Sequence, residues 1–479
     1  MTDLPSTADS DHFSPVATGS VDDKSVQRGA GKVGFVSLGC PKALVDTEAI
    51  VGELLHEGYQ TVGDYAEADV VIVNTCGFID AAVTESIETI EQALEENGRV
   101  IVTGCLGANK GMLTERFPEL LHVSGPQAVA EVASAVRDWH PLETGSSSQF
   151  VDRDRLYGER ALLTPEHYAY LKISEGCNHK CSFCIIPSMR GKLASRGIAD
   201  NLAEAARLAD AGVKELLVIS QDTSAYGVDI GYRDEQVNGR LLRSDLKTLA
   251  NELGDMFDWV RLHYVYPYPN VDQLIELMNQ QKLVPYLDVP LQHGDPNILK
   301  AMRRPAAAEK TLERIQSWRN ECPELKLRST FIVGFPGETE VQFDNLLDFL
   351  REAQLDRVGA FTYSDVDGAR AQALPNQVPE QVKEERLQRF MALQAEISEQ
   401  KLSTWVGKDT RVLVDTLSQT EDGPVGIART YADAPEIDGV VHIRDATGLR
   451  PGEFAWVRVE ASDAHDLYAK ALGEGLRLG

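Results

Sequence analysis

The chain has little positive charge for its size. Of its 479 residues, 47 are Lys or Arg and 74 are Asp or Glu, so the formal net charge is −27 at pH 7. Proteins that bind nucleic acid mainly through phosphates carry a basic surplus. The balance therefore argues against such a partner and favours a basic one, although an acidic surface that only keeps a protein soluble would show the same sign.

Two further absences narrow the class of protein. No apolar run reaches the roughly 18–20 residues of a membrane-spanning helix, and residues 1–30 lack the basic and apolar regions of a signal peptide. Those 30 residues are polar and rich in Ser, Asp and Gly, which predicts a disordered tail. Seven cysteines do not make a disulfide framework in so long a chain. We therefore predict a cytoplasmic protein of about three domains.

What the chain does have is a tight group of three cysteines. Cys177, Cys181 and Cys184 lie in the segment GCNHKCSFC. Thiolate is the ligand that iron–sulfur clusters prefer, and three thiolates can hold three irons of a 4Fe–4S cluster and leave the fourth open, as reactive metal sites require. The alternatives are buried free thiols or a zinc site that includes His179. Zinc sites usually show C-x2-C pairs with a fourth Cys or His nearby. His179 makes the residue types compatible with zinc, but the C-x3-C-x2-C spacing disfavours it.

A second set of cysteines is spread along the first part of the chain. Cys40, Cys76 and Cys105 each end an apolar run, in the segments KVGFVSLGC, VVIVNTCGF and RVIVTGC. Their spacing is about one βαβ unit, and parallel strands bring their carboxyl ends to one edge of a sheet. We expect a doubly wound parallel sheet on which the three thiols meet and hold a second cluster. Any one of them alone would be interpreted as a small core residue. No GxGxxG motif supports a dinucleotide fold.

A polar linker near residues 141–160 precedes a second α/β region. Its predicted strands are HYAYLKIS, VKELLVIS, WVRLHYVY, PYLDVPL, LRSTFIV and RVGAFTY, separated by helical patterns. Six such units are fewer than the eight of a complete barrel, so we predict a partial (β/α)6 barrel with an open side. The carboxyl ends of these strands carry Cys177; Ser220, Gln221 and Asp222; His263, Tyr264, Tyr266 and Tyr268; Gln292 and His293; Gly334 and Gly337; and Tyr363, Ser364 and Asp365.

For each of these residues a structural role is at least as plausible as a catalytic one, and His263 and His293 are predicted to be structural. After a charged helix over 376–403, the segments TRVLVDTL, GPVGIARTY, GVVHIRD and EFAWVRVEA predict a small OB-like β-barrel. Across residues 402–470, seven Lys and Arg stand against twelve Asp and Glu, a net of 7 − 12 = −5. We expect this barrel to recognise a basic protein rather than RNA.

Together these features resemble the methylthiotransferases of the radical S-adenosylmethionine (SAM) superfamily. The resemblance implies three parts: an N-terminal methylthiotransferase domain (31–145), a radical SAM domain (160–400) and a C-terminal TRAM domain (403–471). The disordered tail (1–30), which composition predicts, departs from the family. The segments SLGCPKALVDTE, EGCNHKCSFCIIPSMRGKLASR, ISQDTSAYG, HYVYPYP, YLDVPLQHG and FTYSDVDGA are similar to the branch that modifies an aspartate of small-subunit ribosomal protein twelve. The branch that modifies transfer RNA would instead show GCQMN-like and CxYCxVPxxRG motifs.

The resemblance implies two 4Fe–4S clusters and SAM as cofactors. Cys177, Cys181 and Cys184 would hold the SAM-binding cluster, and Cys40, Cys76 and Cys105 the auxiliary cluster. Five residues would lie against SAM: Phe183, Ser220, Gln221, Gly334 and Gly337. No acid–base catalytic residue is predicted. Cys322 matches no ligand motif and is treated as incidental.

The implied reaction inserts sulfur and a methyl group at the β-carbon of an aspartate, an unactivated position that requires radical chemistry. It needs a low-potential electron donor, such as a flavodoxin or ferredoxin, and a sulfur donor. The two thiol sets are expected to face a shared pocket. Three alternatives stay open: a transfer-RNA adenosine methylthiotransferase, a non-enzymatic iron–sulfur carrier or scaffold, and a radical SAM enzyme with one cluster.

Overall fold

The chain divides into two units, Met1–Leu163 and Thr164–Gly479. The computed structural model describes residues 31–142, 156–157, 160–304, 310–421 and 423–473. The predicted tail, residues 1–30, and most of the predicted linker, residues 141–160, lie outside the described residues. No helix in the described ranges is both long and apolar enough to cross a membrane.

The first unit contains a parallel sheet of five strands. In chain order these are β1 (Lys32–Ser37), β2 (Gln60–Val62), β3 (Val70–Thr75), β4 (Val100–Gly104) and β5 (His122–Val123). They lie in the order β2-β1-β3-β4-β5, and each neighbouring pair is parallel. The three predicted strands are β1, β3 and β4, which are adjacent. The edge strands β2 and β5 were missed because three and two residues are too short to show a periodic pattern.

Helices cover both faces of this sheet. They are α1 (Pro41–Glu57), α2 (Asp80–Glu96), α3 (Lys110–Arg116) and α4 (Val129–Trp139). Val71 and Val73 of β3 pack with Ile90 of α2 on one side. Ile72 packs with residues of α1 and α4, such as Ile50, on the other side. Alternate residues of one strand point to opposite faces, so two helical layers bury all six residues of β3. The predicted doubly wound arrangement is confirmed.

A short hairpin follows at the end of the predicted linker. It consists of β6 (Leu156–Tyr157) and β7 (Arg160–Ala161). Arg160 Nε lies 3.1 Å from Glu48 Oε2, and the Glu48 side chain is fully buried in α1. Leu163 N–H donates to the other carboxylate oxygen of Glu48 at 2.8 Å. This ion pair and this charge-assisted hydrogen bond fix the end of the first unit against α1.

The second unit begins with a six-stranded parallel sheet. Its strands are β8 (Tyr168–Lys172), β11 (Glu215–Ile219), β14 (Trp259–Leu262), β15 (Tyr286–Asp288), β16 (Lys326–Val333) and β17 (Arg357–Thr362). Two short antiparallel pairs lie between these strands in the chain: β9 (Ser174–Glu175) with β10 (Ala194–Ser195), and β12 (Asp234–Val237) with β13 (Arg240–Arg243). The spatial order β17-β16-β15-β14-β11-β8 follows the chain, as in a barrel. All six predicted strands are present, and the partial (β/α)6 fold is confirmed.

The helices of this barrel are α5 (Ile186–Arg190), α6 (Ile198–Asp210), α7 (Leu246–Leu253), α8 (Asp272–Asn279), α9 (Pro296–Ala301), α10 (Thr311–Glu321), α11 (Glu340–Ala353) and α12 (Glu380–Ser403). The last of these is the predicted charged helix. Beyond it, a closed barrel is formed by β18 (Asp409–Thr420), β19 (Gly423–Thr430), β20 (Val441–Arg444), β21 (Phe454–Ser462) and β22 (Leu467–Ala471). The first four strands of the small barrel were predicted, and the five-residue β22 was missed.

The small barrel covers the amino ends of the large barrel's strands. Glu215, the first residue of β11, is fully buried between Arg261 of β14 and Arg429 of β19. Arg261 also donates to the carbonyl oxygen of Tyr431 at 2.8 Å. Because this contact occupies the amino ends, it leaves the carboxyl ends, where barrel enzymes place their sites, available for chemistry.

Candidate functional site

One loop carries the three clustered cysteines at the carboxyl end of the large barrel. Gly176 opens the loop with φ = +73°, and a side chain there would overlap the carbonyl oxygen of Lys192. Cys177 N–H donates to the carbonyl oxygen of Gly191 at 3.2 Å. The tight turn between β9 and α5 therefore requires glycine and brings the three thiols into one short loop.

The thiols lie close enough to influence one another. Burial raises the pKa of Cys177 to about 11 and that of Cys184 to about 12, and neighbouring thiols, Cys181 among them, add to both shifts. Backbone N–H groups donate to two of the sulfurs: His179 N–H to Cys177 Sγ at 3.4 Å and Ile186 N–H to Cys184 Sγ at 3.5 Å. Buried thiols with amide donors suit thiolates that a metal has deprotonated, so the trio fits a 4Fe–4S cluster.

An arginine lies against the same loop. Arg304 Nη1 is 3.7 Å from Cys181 Sγ, Nη2 donates to the carbonyl oxygen of Pro290 at 2.6 Å, and the guanidinium lies 4.5 Å from the ring centroid of Tyr266. Only 6% of Arg304 is exposed. Sequence analysis missed this residue because it lies more than a hundred positions from the cysteine motif, and nothing local indicates the contact.

His179 is engaged in hydrogen bonds rather than directed at the thiols as a ligand. Its Nε2 lies 2.8 Å from Asp222 Oδ2 and 2.9 Å from the Tyr268 hydroxyl, and its ring stacks on Tyr266 at 4.3 Å. No three His, Cys, Asp or Glu side chains in the described ranges converge on one metal-ion position. A zinc site needs such convergence, whereas a cubane takes each thiolate on a different iron.

Two of the residues predicted to contact SAM follow β11 directly. Ser220 is fully buried, and its hydroxyl accepts a bond from Asp222 N–H at 3.1 Å. Gln221 Nε2 donates to Glu175 Oε1, while Gln221 Oε1 is buried and bonds to no described residue. Burial opposes ionisation of Glu175, but Lys172 and Arg190 hold its pKa below the ordinary value. An ionised carboxylate and a free amide acceptor therefore lie beside the cysteine loop.

The predicted glycine turn lies after β16. Gly334 and Gly337 have φ of +73° and +84°, which favours glycine over other residues. Gly334 N–H donates to Glu338 Oε2 at 3.0 Å, and a side chain at Gly334 would overlap Lys383. Phe183 packs against an apolar cluster that includes Phe335 of the same turn. The structure thus joins the cysteine loop to the turn.

The two barrel histidines have carboxylate partners. His263 Nδ1 lies 3.3 Å from Asp288 Oδ2, and burial lowers the pKa of His263. His293 Nε2 lies 3.1 Å from Glu338 Oε2, and Arg386 binds the other oxygen of that carboxylate at 2.8 Å. These contacts are consistent with the predicted structural roles.

The first unit brings its own three cysteines together. Cys40 follows β1, Cys76 follows β3 and Cys105 follows β4, and these strands are neighbours in the sheet. A Cβ on Gly39 would lie 3.1 Å from Cys76 Sγ. Burial raises the pKa of Cys76 to about 11, and Cys40 and Cys105 add to the shift. The three distant thiols therefore form a second trio, whose donor set fits another iron–sulfur cluster.

Three family models match successive parts of this chain. Residues 171–350 match the family model described as the radical SAM superfamily, residues 32–125 that of the uncharacterized protein family UPF0004, and residues 406–472 that of the TRAM domain. A radical SAM methyltransferase from Kitasatospora setae, TsrM, has a TM-score of 0.47 at 15% identity over 69% of this chain and 73% of its own.

Close relatives carry one common name. Proteins called "Ribosomal protein uS12 methylthiotransferase RimO" from Hydrogenovibrio crunogenus and Marinobacter nauticus are each 58% identical to this chain, over 92% of it and 96% of their own length. The protein of that name from Alteromonas mediterranea is 56% identical over 94% of this chain and 91% of its own. With its radical SAM barrel and TRAM domain, the chain therefore belongs to the RimO family of radical SAM methylthiotransferases.

Proposed function

We propose that this enzyme attaches a methylthio group to the β-carbon of an aspartate in small-subunit ribosomal protein uS12, with SAM and two 4Fe–4S clusters. The name of its relatives supports the substrate. The observation that carries the two-cluster chemistry is the pair of thiol trios, each at the carboxyl edge of a parallel sheet. The acidic balance of −27 also favours a basic protein substrate, and the transfer-RNA alternative is not favoured by the relatives.

The domain limits belong to this proposal: a tail over 1–30, the auxiliary-cluster domain over 31–145, the radical SAM domain over 160–400 and the TRAM domain over 403–471. The three matching family ranges, 32–125, 171–350 and 406–472, lie inside these limits, except that the last ends one residue beyond 471, and so support the division. None of the seven cysteines, all of which lie in the described ranges, forms a disulfide bond. This suits a reducing compartment, so we place the enzyme in the cytoplasm.

Each trio would hold one cluster. Cys177, Cys181 and Cys184 would leave one iron open to the amino and carboxylate groups of SAM, and Cys40, Cys76 and Cys105 would hold the auxiliary cluster. When bound, SAM on a reduced cluster supplies the one-electron chemistry that an unactivated C–H bond requires. The reaction would also require a low-potential electron donor, such as a flavodoxin or ferredoxin, and a sulfur donor.

Side chains of this protein would bind and orient SAM. Gln221 Oε1, buried without a partner among the described residues, can accept a bond from a hydroxyl or ammonium group of SAM. The Ser220 hydroxyl accepts a bond from Asp222 N–H and lies 3.3 Å from Thr223 Oγ1, so it shapes the loop and would offer SAM its remaining lone pair. A Cβ on Gly337 would meet no described atom within 4 Å, which leaves room for a ligand. Phe183 would present its ring to the adenine side.

Product analysis tests this function. The anaerobically loaded enzyme is supplied with SAM, sulfide and reductant, and with either purified uS12 or transfer RNA. We expect the methylthio mass on one aspartate-containing peptide of uS12 and none on RNA. Product on RNA alone would overturn the substrate assignment, and absence of 5′-deoxyadenosine would favour a non-enzymatic iron–sulfur carrier.

Iron and sulfide counts test the clusters. The proposal predicts about eight irons per chain, and about four in the Cys76→Ala variant, since each cubane contains four. About four irons in both proteins would indicate a one-cluster enzyme instead. The expectation that the two trios face a shared pocket stays a prediction.

A further inference from the structure

Asn74 lies beneath the auxiliary trio and is not assigned by any motif. It belongs to β3, two positions before Cys76, and only 1% of it is exposed. Its Nδ2 donates to the carbonyl oxygen of Ala43 at 2.8 Å and to Thr47 Oγ1 at 2.9 Å. Both partners lie in the first two turns of α1, which begins directly after Cys40. One amide group thus joins the segment before Cys76 to the segment after Cys40.

The same side chain also meets the third segment. Gly104, directly before Cys105, has φ = +96°, and a side chain on it would overlap Asn74 Oδ1 and the carbonyl oxygen of Thr75. Glycine therefore lets the end of β4 approach Asn74 closely. Cys105 N–H donates to the carbonyl oxygen of Thr75 at 2.9 Å, so the two strand ends are joined beside the amide.

Backbone bonds complete the junction. Leu38 N–H donates to the carbonyl oxygen of Asn74 at 2.8 Å, and Thr47 Oγ1 lies 3.0 Å from the Ser37 hydroxyl at the end of β1. Asn74 Oδ1 is buried and accepts no hydrogen bond from a described residue. An unpaired buried acceptor is costly, so this cost offsets part of the stabilisation that the two bonds donated by Nδ2 supply.

We propose that Asn74 is a positioning residue for the auxiliary cluster: it holds the three loops that carry Cys40, Cys76 and Cys105 in a fixed relation before the cluster binds. This inference rests on the proposed two-cluster function and deepens it. The three ligands of the barrel trio need no such residue, because one short loop carries all of them. The auxiliary trio is assembled from three loops, and Asn74 touches the segment next to each.

The test uses the full-length chain with Cys177, Cys181 and Cys184 all replaced by alanine, so that only the auxiliary trio can load. After anaerobic treatment with iron and sulfide, this background should contain about four irons and four sulfides per chain. Adding Asn74→Ala should lower both counts and the visible absorbance of the cluster. In the metal-free protein, titration with Co²⁺ should show about tenfold weaker thiolate binding, the lower end of the effect of outer ligand contacts.

Asn97→Ala is the matched control. Asn97 lies at the opposite edge of the same sheet, and its Nδ2 donates to the carbonyl oxygens of Tyr65 and Ala68 at 2.6 and 2.7 Å. The Asn97→Ala variant should lower the thermal unfolding midpoint as much as Asn74→Ala does, but it should leave the iron and sulfide content unchanged. Equal loading of the two variants would overturn the proposal, since Asn74 would then be only a structural residue.

If the Asn74→Ala variant does not fold, the Thr47→Val variant tests the same proposal. It removes one acceptor of the Asn74 amide and should give an intermediate loss of loading in a folded chain. Full loading in that variant would overturn the positioning role. A background chain that binds no iron would overturn the auxiliary cluster itself and the inference with it, which separates the failure of the proposed function from that of the inference alone.

Discussion

The two thiol trios are built in opposite ways. In the large barrel, eight consecutive positions from Cys177 to Cys184 carry all three cysteines. In the first unit, Cys40, Cys76 and Cys105 come from three loops that only the sheet brings together. The contiguous trio depends on local backbone geometry, whereas the distributed trio depends on the register of β1, β3 and β4. The second should therefore be the more sensitive to changes in its scaffold.

The supports of the trios differ as well. The barrel loop lies at one end of a scaffold whose other end is closed by the small barrel through Glu215, Arg261 and Arg429. The distributed trio rests directly on the strand ends, with Asn74 between them. Substitutions far from the barrel loop should therefore lower the free energy of unfolding without changing iron binding by the three cysteines of that loop.

The largest effect should come from removing one ligand of each trio. Cys181→Ala should reduce 5′-deoxyadenosine formation at least about a hundredfold. Cys76→Ala should leave 5′-deoxyadenosine formation in place but abolish the methylthio product. Both are measured by mass spectrometry of the same anaerobic reaction. Cys322→Ala, which matches no ligand motif, should change neither readout; methylthio product from Cys76→Ala would contradict the auxiliary role.

The next effect concerns the contact between the two barrels. Glu215→Gln removes the buried carboxylate and leaves two guanidinium groups without this charged partner, which should lower the free energy of unfolding by about 3–5 kcal/mol. Denaturant unfolding of the metal-free protein measures this. Once refolded, the variant should still load iron at the barrel trio. Loss of that iron at matched stability would show that the two barrel ends are coupled.

This contact also predicts a pH dependence. Burial opposes ionisation of Glu215, but Arg429 and Arg261 hold its pKa below the ordinary value. The unfolded chain therefore binds the proton first as pH falls, and the stabilisation present above the unfolded pKa, about 4.3, is lost below it. Unfolding midpoints measured from pH 7 to 3 should fall less steeply for Glu215→Gln than for the native chain. Parallel curves would indicate that Glu215 contributes nothing to the slope.

A matched pair of core substitutions compares the two scaffolds. Ile72→Ala in β3 and Leu217→Ala in β11 each remove a side chain that is at most 1% exposed and should cost about 2–5 kcal/mol. We expect Ile72→Ala to lower iron at the auxiliary trio, because its strand carries Cys76. Leu217→Ala should leave iron at the barrel trio nearly unchanged. Equal losses of iron would remove the distinction between contiguous and distributed sites.

The smallest effect should come from Arg304. Arg304→Met removes a cation 3.7 Å from Cys181 Sγ and should lower the reduction potential of the barrel cluster, because positive charge and hydrogen bonds at the sulfurs favour the reduced state. A redox titration followed by electron paramagnetic resonance measures this. Arg319→Met is the control, since Arg319 bonds to the carbonyl oxygens of Ala353 and Gln354. A shift in both variants would point to a general effect of net charge.

Particular residues show where sequence reasoning succeeded. The apolar run VVIVNT is buried on both faces and could be assigned as a central parallel strand, and Cys40, Cys76 and Cys105 could be placed at one sheet edge. The strands β2, β5 and β22 were missed, because short strands take their pairing from neighbours. Arg304 was missed because it contacts Cys181 from a distant position. Asn74 lies two positions before Cys76, but its bonds to α1 span 27 and 31 positions, and no local pattern indicates them.

The sequence by itself determined the cysteine spacing, the alternation of strands and helices, and the acidic balance, since these are properties of neighbouring residues and of composition. Only the tertiary structure decided that the small barrel occupies the amino ends of the large one and that a buried amide joins the three auxiliary loops. Contacts of this kind depend on how strands far apart in the chain are laid side by side, and hydrogen bonds of fixed length then select among the side chains that this packing brings within reach.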